Sequence, residues 1–145
     1  MLIGRKKEKE QLLSALHSEQ SEFIAVYGRR RVGKTYLIRE SYDYCFTFQH
    51  TGLANSNMQK QLKNFKASLQ KVGMKKIPSI TCWLDAFFAL EQWLETCQEE
   101  RKIIFLDELP WMDTPRSDFV SALEHFWNGW ATTRKDIVLI VCGSA

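Results

Sequence analysis

The chain has 145 residues, of which 45% are apolar and 26% charged, with a formal net charge of +3. That size and mixture fit one globular domain with a single core and exclude an intrinsically disordered chain. The mild positive charge tolerates an anionic partner without demanding one, and no apolar run reaches the ~18 residues needed to cross a bilayer.

In chain order, Leu2-Ile3-Gly4 is a short apolar opening, and Arg5 to Ser18 carries Leu12, Leu13 and Leu16 at helical spacing. Phe23 to Tyr27, "FIAVY", is a continuous apolar run of strand length, which predicts a strand buried on both faces. After "GRRRVGKT" a helix is expected to about Ser41, then a second strand over Cys45 to Gln49. Ser56 is a candidate cap for a helix from Asn57 to Val72, with Leu62, Phe65 and Leu69 inward and Gly73 as its stop. A long helix is predicted from Trp83 to Glu99, with Trp83, Phe87, Leu90 and Leu94 inward. "KIIFL", Lys102 to Leu106, is the third strand. Thr114-Pro115 or Ser117 opens a helix carrying Val120, Leu123, Trp127 and Trp130, and "IVLIVC", Ile137 to Cys142, is the fourth strand. Strands alternating with helices imply crossover connections and a parallel α/β sheet covered on both faces.

The loop after the first strand holds Gly28-x4-Gly33-Lys34-Thr35, the G-x-x-x-x-G-K-[ST] pattern of a phosphate-binding loop. The two glycines let backbone N–H groups turn inward around an anion in conformations a side chain would block. Lys34 supplies a point charge toward the β- and γ-phosphates, and Thr35 a hydroxyl for Mg²⁺. The helix that begins there, with Tyr36 next, aims its positive end at the same place. Arg29, Arg30, Arg31 and Val32 complete the coil by their backbones. The three arginine side chains read as outward, either solvated or facing DNA or a neighbouring subunit.

A second constellation ends the third strand. In "KIIFLDELPWM" four apolar residues lead into Asp107-Glu108, which puts two carboxylates at the C-terminal tip of a parallel strand, where open α/β sheets bind ligands. Asp107 is the candidate magnesium holder, and Glu108 the acid that polarises water for attack on a γ-phosphate. Loops without the second acid serve many kinases and GTPases, so Glu108 favours an ATPase. The fourth strand finishes Cys142-Gly143-Ser144, and Ser144 is a candidate for sensing the γ-phosphate.

The remaining features carry less. Cys45, Cys82, Cys97 and Cys142 form no C-x-x-C, so metal binding is not expected, and reduced thiols in a cytoplasmic protein are the plain reading. Lys60, Lys63, Lys66, Lys71, Lys75 and Lys76 stud one helix and its exit, as a solvated face or a surface for nucleic acid. Trp111 follows the acidic pair in a loop, where it could pack on the site or on a partner. His17, His50 and His125 receive no catalytic role, and His125 reads as lying among apolar residues.

"LIGRKKE", "YGRRRVGKT", "LDELPWM" and "VCGSA", in this order, resemble the archaeal-type prokaryotic ATPases of the AAA+/STAND P-loop group. The resemblance implies a sheet of order 5-1-4-3-2, followed by a helical lid and often by winged-helix and nuclease-like domains. It makes Gly28 to Thr35 the Walker A segment, Asp107 and Glu108 the Walker B pair, and Ser144 the first sensor. Ile3, Gly4 and Arg5 would lie near an adenine. Nothing in the chain corresponds to the fifth strand, the lid, a second sensor or an arginine finger, and Arg134 precedes the sensor strand rather than matching a finger. The expectation is therefore a truncated P-loop core, 1–145, that binds ATP and hydrolyses it with Mg²⁺ to drive motion in domains elsewhere. The alternative is a nucleotide-gated switch that engages DNA or protein with negligible hydrolysis. A P-loop kinase is weaker still, for want of an acceptor site. With its outer neighbour missing, the first strand would become an open edge and promote self-association. A clean monomer in sedimentation at high concentration would contradict that.

Overall fold

A computed structural model describes residues 3–28 and 33–144, with side chains from Lys7 onward apart from Gly28 and Ser144. The elements run α1 (Ile3–Leu16), β1 (Glu22–Gly28), α2 (Lys34–Ser41), β2 (Phe48–Thr51), α3 (Met58–Lys71) and α4 (Trp83–Thr96). They continue with β3 (Lys102–Asp107), α5 (Phe119–Gly129) and β4 (Ile137–Ser144), plus short 3₁₀ turns at Leu109–Met112 and Ala131–Thr133. The four strands form one parallel sheet in the order β1-β4-β3-β2. That is the 1-4-3-2 part of the order implied by the resemblance.

Side-chain alternation along the strands divides the core into two halves. Ile103 and Phe105 of β3, with Val138, Ile140 and Cys142 of β4, pack with Leu12 and Ala15 of α1 and Leu37 and Ile38 of α2. Ile104 and Leu106, with Leu139 and Val141, face the opposite way onto α3, α4 and α5. Both β3 and β4 are therefore covered on both faces, as continuous apolar runs in a parallel sheet require. The parity has a consequence at the strand tip: Asp107 falls in step with Ile103 and Phe105, on the α2 side.

Several sequence expectations need correction. β1 is not buried on both faces: Phe23 is 39% and Tyr27 57% exposed, and of its described side chains, Glu22 to Tyr27, only Val26 is buried. The cause is position, since β1 pairs with β4 alone and its other edge meets no strand among the described residues. An open groove of about 990 Å³ follows that edge, walled by α1 and by Glu22 to Ala25. β2 starts three residues later than expected, because Cys45 and Phe46 are still in the loop. Asn57, not Ser56, caps α3, its side-chain oxygen accepting from the Lys60 N–H at 3.0 Å. Gly73 does follow that helix in the left-handed region, at φ 109°. α4 ends at Thr96, and α5 begins only at Phe119 after the left-handed Asp118. Val120 points outward at 47% exposure. His125 is exposed on α5, although it does meet Phe88 edge-on.

His50 shows what a buried titratable group does to this core. It is 3% exposed on β2, its Nδ1 2.8 Å from the Ser68 hydroxyl and its Nε2 unpartnered. Burial, helped by the charge of Lys71, pushes its pKa down to about 4. The unfolded chain then takes up the proton first, so this contribution is complete above the ordinary pKa of about 6.5 and declines as pH falls toward 4. Its upper bound is about 3 kcal/mol. Glu91 opposes it, since burial and Glu95 raise its pKa to about 7 and its contribution is lost as pH rises through that range. The comparison must therefore be differential. Between pH 7 and 4.5 the unsubstituted chain should lose more stability in urea titrations than His50→Gln does. Parallel pH profiles for the two would contradict the account.

Candidate functional site

Four strand ends lie side by side at the C-terminal edge of the sheet. Register pairs Gly28 of β1 with Ser144 of β4, Leu106 of β3 with Val141, and Thr51 of β2 with Asp107. Ligands of open parallel sheets collect at this edge, where the strand order also forces helices to begin. α2 starts here. Its N-cap is Gly33, in the left-handed region at φ 75° and ψ 26° and without a side-chain cap. A Cβ would strain that conformation. The first N–H groups of the helix lack intrahelical partners and lie at its positive end, a setting suited to an anion.

Two residues of the first turn of α2 meet the strand tips. Lys34 is 7% exposed, a cation held inside the edge rather than spread on the surface. The Thr35 hydroxyl donates to Asp107 Oδ2 at 2.8 Å, joining the glycine loop to the acidic strand end across 72 positions of sequence. Asp107 is 6% exposed, and its other oxygen, Oδ1, accepts the Glu108 N–H at 2.8 Å. Each of its oxygens is thereby engaged, which offsets the cost of burying a carboxylate.

Glu108 leaves the strand in the left-handed region, at φ 52° and ψ 42°, and is half-buried. Such a conformation is uncommon outside glycine and costs on the order of 1–3 kcal/mol. It turns the chain into the 3₁₀ segment Leu109–Met112, whose Trp111 N–H donates back to the Glu108 carbonyl at 3.2 Å. Trp111 and Pro110, with Asn55 to Met58, border a cleft of about 490 Å³ that neither Asp107 nor Glu108 lines.

Cys142 was not among the residues expected at the site. It lies one step past the Leu106–Val141 level of β4, fully buried on the α2 side. Burial, reinforced by the Asp107 carboxylate, pushes its thiol up to about 12, although the charge of Lys34 works the other way. The thiol is hydrogen-bonded to Asp107 and stays neutral. Strand parity, which aligns Val138, Ile140 and Cys142, was the signal that could have found it.

Other expected residues fall elsewhere. Arg29, Arg30, Arg31 and Val32 lie outside the described residues. Ile3, Gly4 and Arg5 open α1, and Ser144 ends β4, with their side chains outside the description. Tyr36 is 63% exposed on the outer side of α2. Arg134 is occupied away from the edge, bonding Asp136 at 2.8 Å and lying 4.8 Å from the Trp130 ring centre. The six lysines of α3 and its exit are all exposed. Among the described residues no three His, Cys, Asp or Glu side chains gather to hold a metal unaided, and no helix is long and apolar enough to cross a membrane.

The sheet order, the left-handed glycine before α2 and the Thr35–Asp107 contact define an α/β protein of the P-loop NTPase class. The family described as an ATPase domain predominantly from Archaea matches residues 2–145, and the chain belongs to it. An uncharacterized protein of Methanocaldococcus jannaschii is 33% identical over 110 residues, which is 76% of this chain. The chain spans about a fifth of that relative's length, 22%. Among solved structures, the Aeropyrum pernix ORC2 protein in ADPNP–ADP complexes superposes with a TM-score of 0.58 at 16% identity. That match covers 97% of this chain and 40% of the other. Drosophila ORC bound to DNA gives 0.56 at 11% identity, covering 98% of this chain and 77% of that one. At such identities the likeness is one of fold.

Proposed function

We propose that this domain binds ATP with Mg²⁺ at the C-terminal sheet edge and hydrolyses it, the turnover driving a conformational change in other parts of the protein. The observation that carries this is the 2.8 Å bond between Thr35 and Asp107 beside the buried Lys34. A threonine hydroxyl and a carboxylate are hard oxygen donors and fit magnesium, which takes oxygen ligands and keeps several waters. When bound, the ion would offset charge on the phosphates. The N–H groups at the start of α2 receive phosphate oxygens, and Lys34 holds the terminal phosphates by charge. Glu108 orients water and accepts its proton as attack proceeds. Ser144, paired at backbone level with Gly28 of the glycine loop, reports the γ-phosphate from β4.

The family and the nucleotide-bound Aeropyrum neighbour support this choice of ligand. DNA is a possible partner on this proposal, through the exposed lysines of α3 or domains outside this chain, and the Drosophila neighbour was solved on DNA. Phosphate release by the full-length protein, measured with and without DNA, tests both parts. Magnesium-dependent release is expected, falling to background with a chelator. Tight MgATP binding without release would instead favour the nucleotide-gated switch.

A further inference from the structure

The turn that begins at Glu108 is flanked by two glycines, Gly52 and Gly143, that no positive φ explains. Gly52, directly after β2, is buried, and its φ is not in the left-handed region. What it has is proximity. A Cβ at Gly52 would press well inside contact distance of the Glu108 carbonyl oxygen and lie 3.3 Å from Met112 Cγ. The Gly52 N–H also donates to the Asp107 carbonyl at 2.9 Å, so its backbone cannot simply back away. Opposite, a Cβ at Gly143 of β4 would stand 2.7 Å from Pro110 Cδ. The turn Glu108–Pro110 thus sits between the ends of β2 and β4 with no room for a methyl group on either side.

The β2 wall is itself anchored. Gln61 of α3 is fully buried, and its side chain accepts the Leu53 N–H at 3.0 Å while donating to the carbonyls of Leu53, at 2.5 Å, and Ser56, at 3.3 Å. Asn64 donates to the Thr51 carbonyl at 2.9 Å. The segment flanking Gly52 is therefore fixed to α3, and a side chain added at Gly52 would move the softer partner, the strained turn that presents Glu108.

We propose that Gly52 is a positioning residue for Glu108, with the Gly143–Pro110 contact as the opposing wall; this rests on the hydrolytic role given to Glu108 above. In the full-length protein, Gly52→Ala should keep MgATP affinity within about twofold and KM little changed. Its kcat should fall by about 10- to 10²-fold, as for a misplacement near 1 Å. In a Glu108→Gln background the same substitution should remove no further activity, because it acts only through the placement of Glu108. Equal losses in both backgrounds, or full kcat in Gly52→Ala, would overturn the inference. If Gly52→Ala does not fold, Pro110→Ala decides: it frees the opposing wall without adding bulk and should lower kcat with affinity retained, and unchanged kcat overturns the inference. Should Glu108→Gln itself leave turnover intact, the hydrolytic assignment falls and this inference with it. Loss in Glu108→Gln without loss in Gly52→Ala rejects the inference alone.

Discussion

Lys34→Ala is expected to leave a folded protein that no longer takes up MgATP. Lys34 is nearly buried at the start of α2, beside Thr35 and Asp107, so on the proposed reading its ammonium would meet the phosphates with little water between. Truncating one partner of such a desolvated charge contact costs roughly 2–5 kcal/mol, about 30-fold to several thousand-fold in affinity. The two apolar halves of the core do not include Lys34, so the fold should survive its loss. Calorimetric titration with MgATP, beside a thermal melt, checks this. Retained affinity in the folded variant would place the phosphates somewhere else.

Glu108→Gln is the second large effect, and it separates binding from chemistry. The change keeps size and hydrogen-bonding capacity but removes the carboxylate that, in the proposed reaction, accepts a proton from water. The family's nucleotide should still bind, while phosphate release falls by about 10²–10⁴-fold. The geometry explains why the effect should be confined to turnover. Asp107, not Glu108, contacts the Thr35 hydroxyl, and Glu108 reaches the edge only through the left-handed turn after β3. Equal phosphate release by variant and unsubstituted protein would remove Glu108 from the reaction.

The elements that were legible in the sequence are those with strong periodicity or fixed chemistry. α4 shows Trp83, Phe87, Leu90 and Leu94 on one face, and all four are buried. The parallel order followed from strand–helix alternation together with the family resemblance, and the glycine-Lys-Thr run opens α2 after β1, as expected. The open edge of β1 was expected from the resemblance and is found, but apolar content alone suggested burial on both faces, and there β1 was misjudged: Phe23 and Tyr27 look the same in sequence whether or not anything covers them. Boundaries failed where loop geometry decides them, as with Asn57 replacing Ser56 at the α3 cap.

At the site the sequence named the chemical groups but not what holds them. Thr35 and Asp107 were each assigned to magnesium, yet their direct bond depends on strand parity and on the α2 packing. Cys142 was read only as a strand residue, although its parity aims it at Asp107. Gly52 was invisible because it belongs to no motif and shows no special φ. Its significance lies entirely in a close approach to Glu108 that only the assembled sheet creates. His50 likewise carried no motif, and burial, helped by the charge of Lys71, gives it a role in acid stability.

Calorimetric titration of the unsubstituted, folded protein with ATP, in the presence and absence of magnesium, bears most directly on the central claim. One molecule of nucleotide per chain, bound far more weakly once the metal is chelated, is the expected result. Absence of binding heat at several temperatures, with no protection of the folded state by either ATP or GTP, would contradict a phosphate site at Gly33, Lys34 and Thr35.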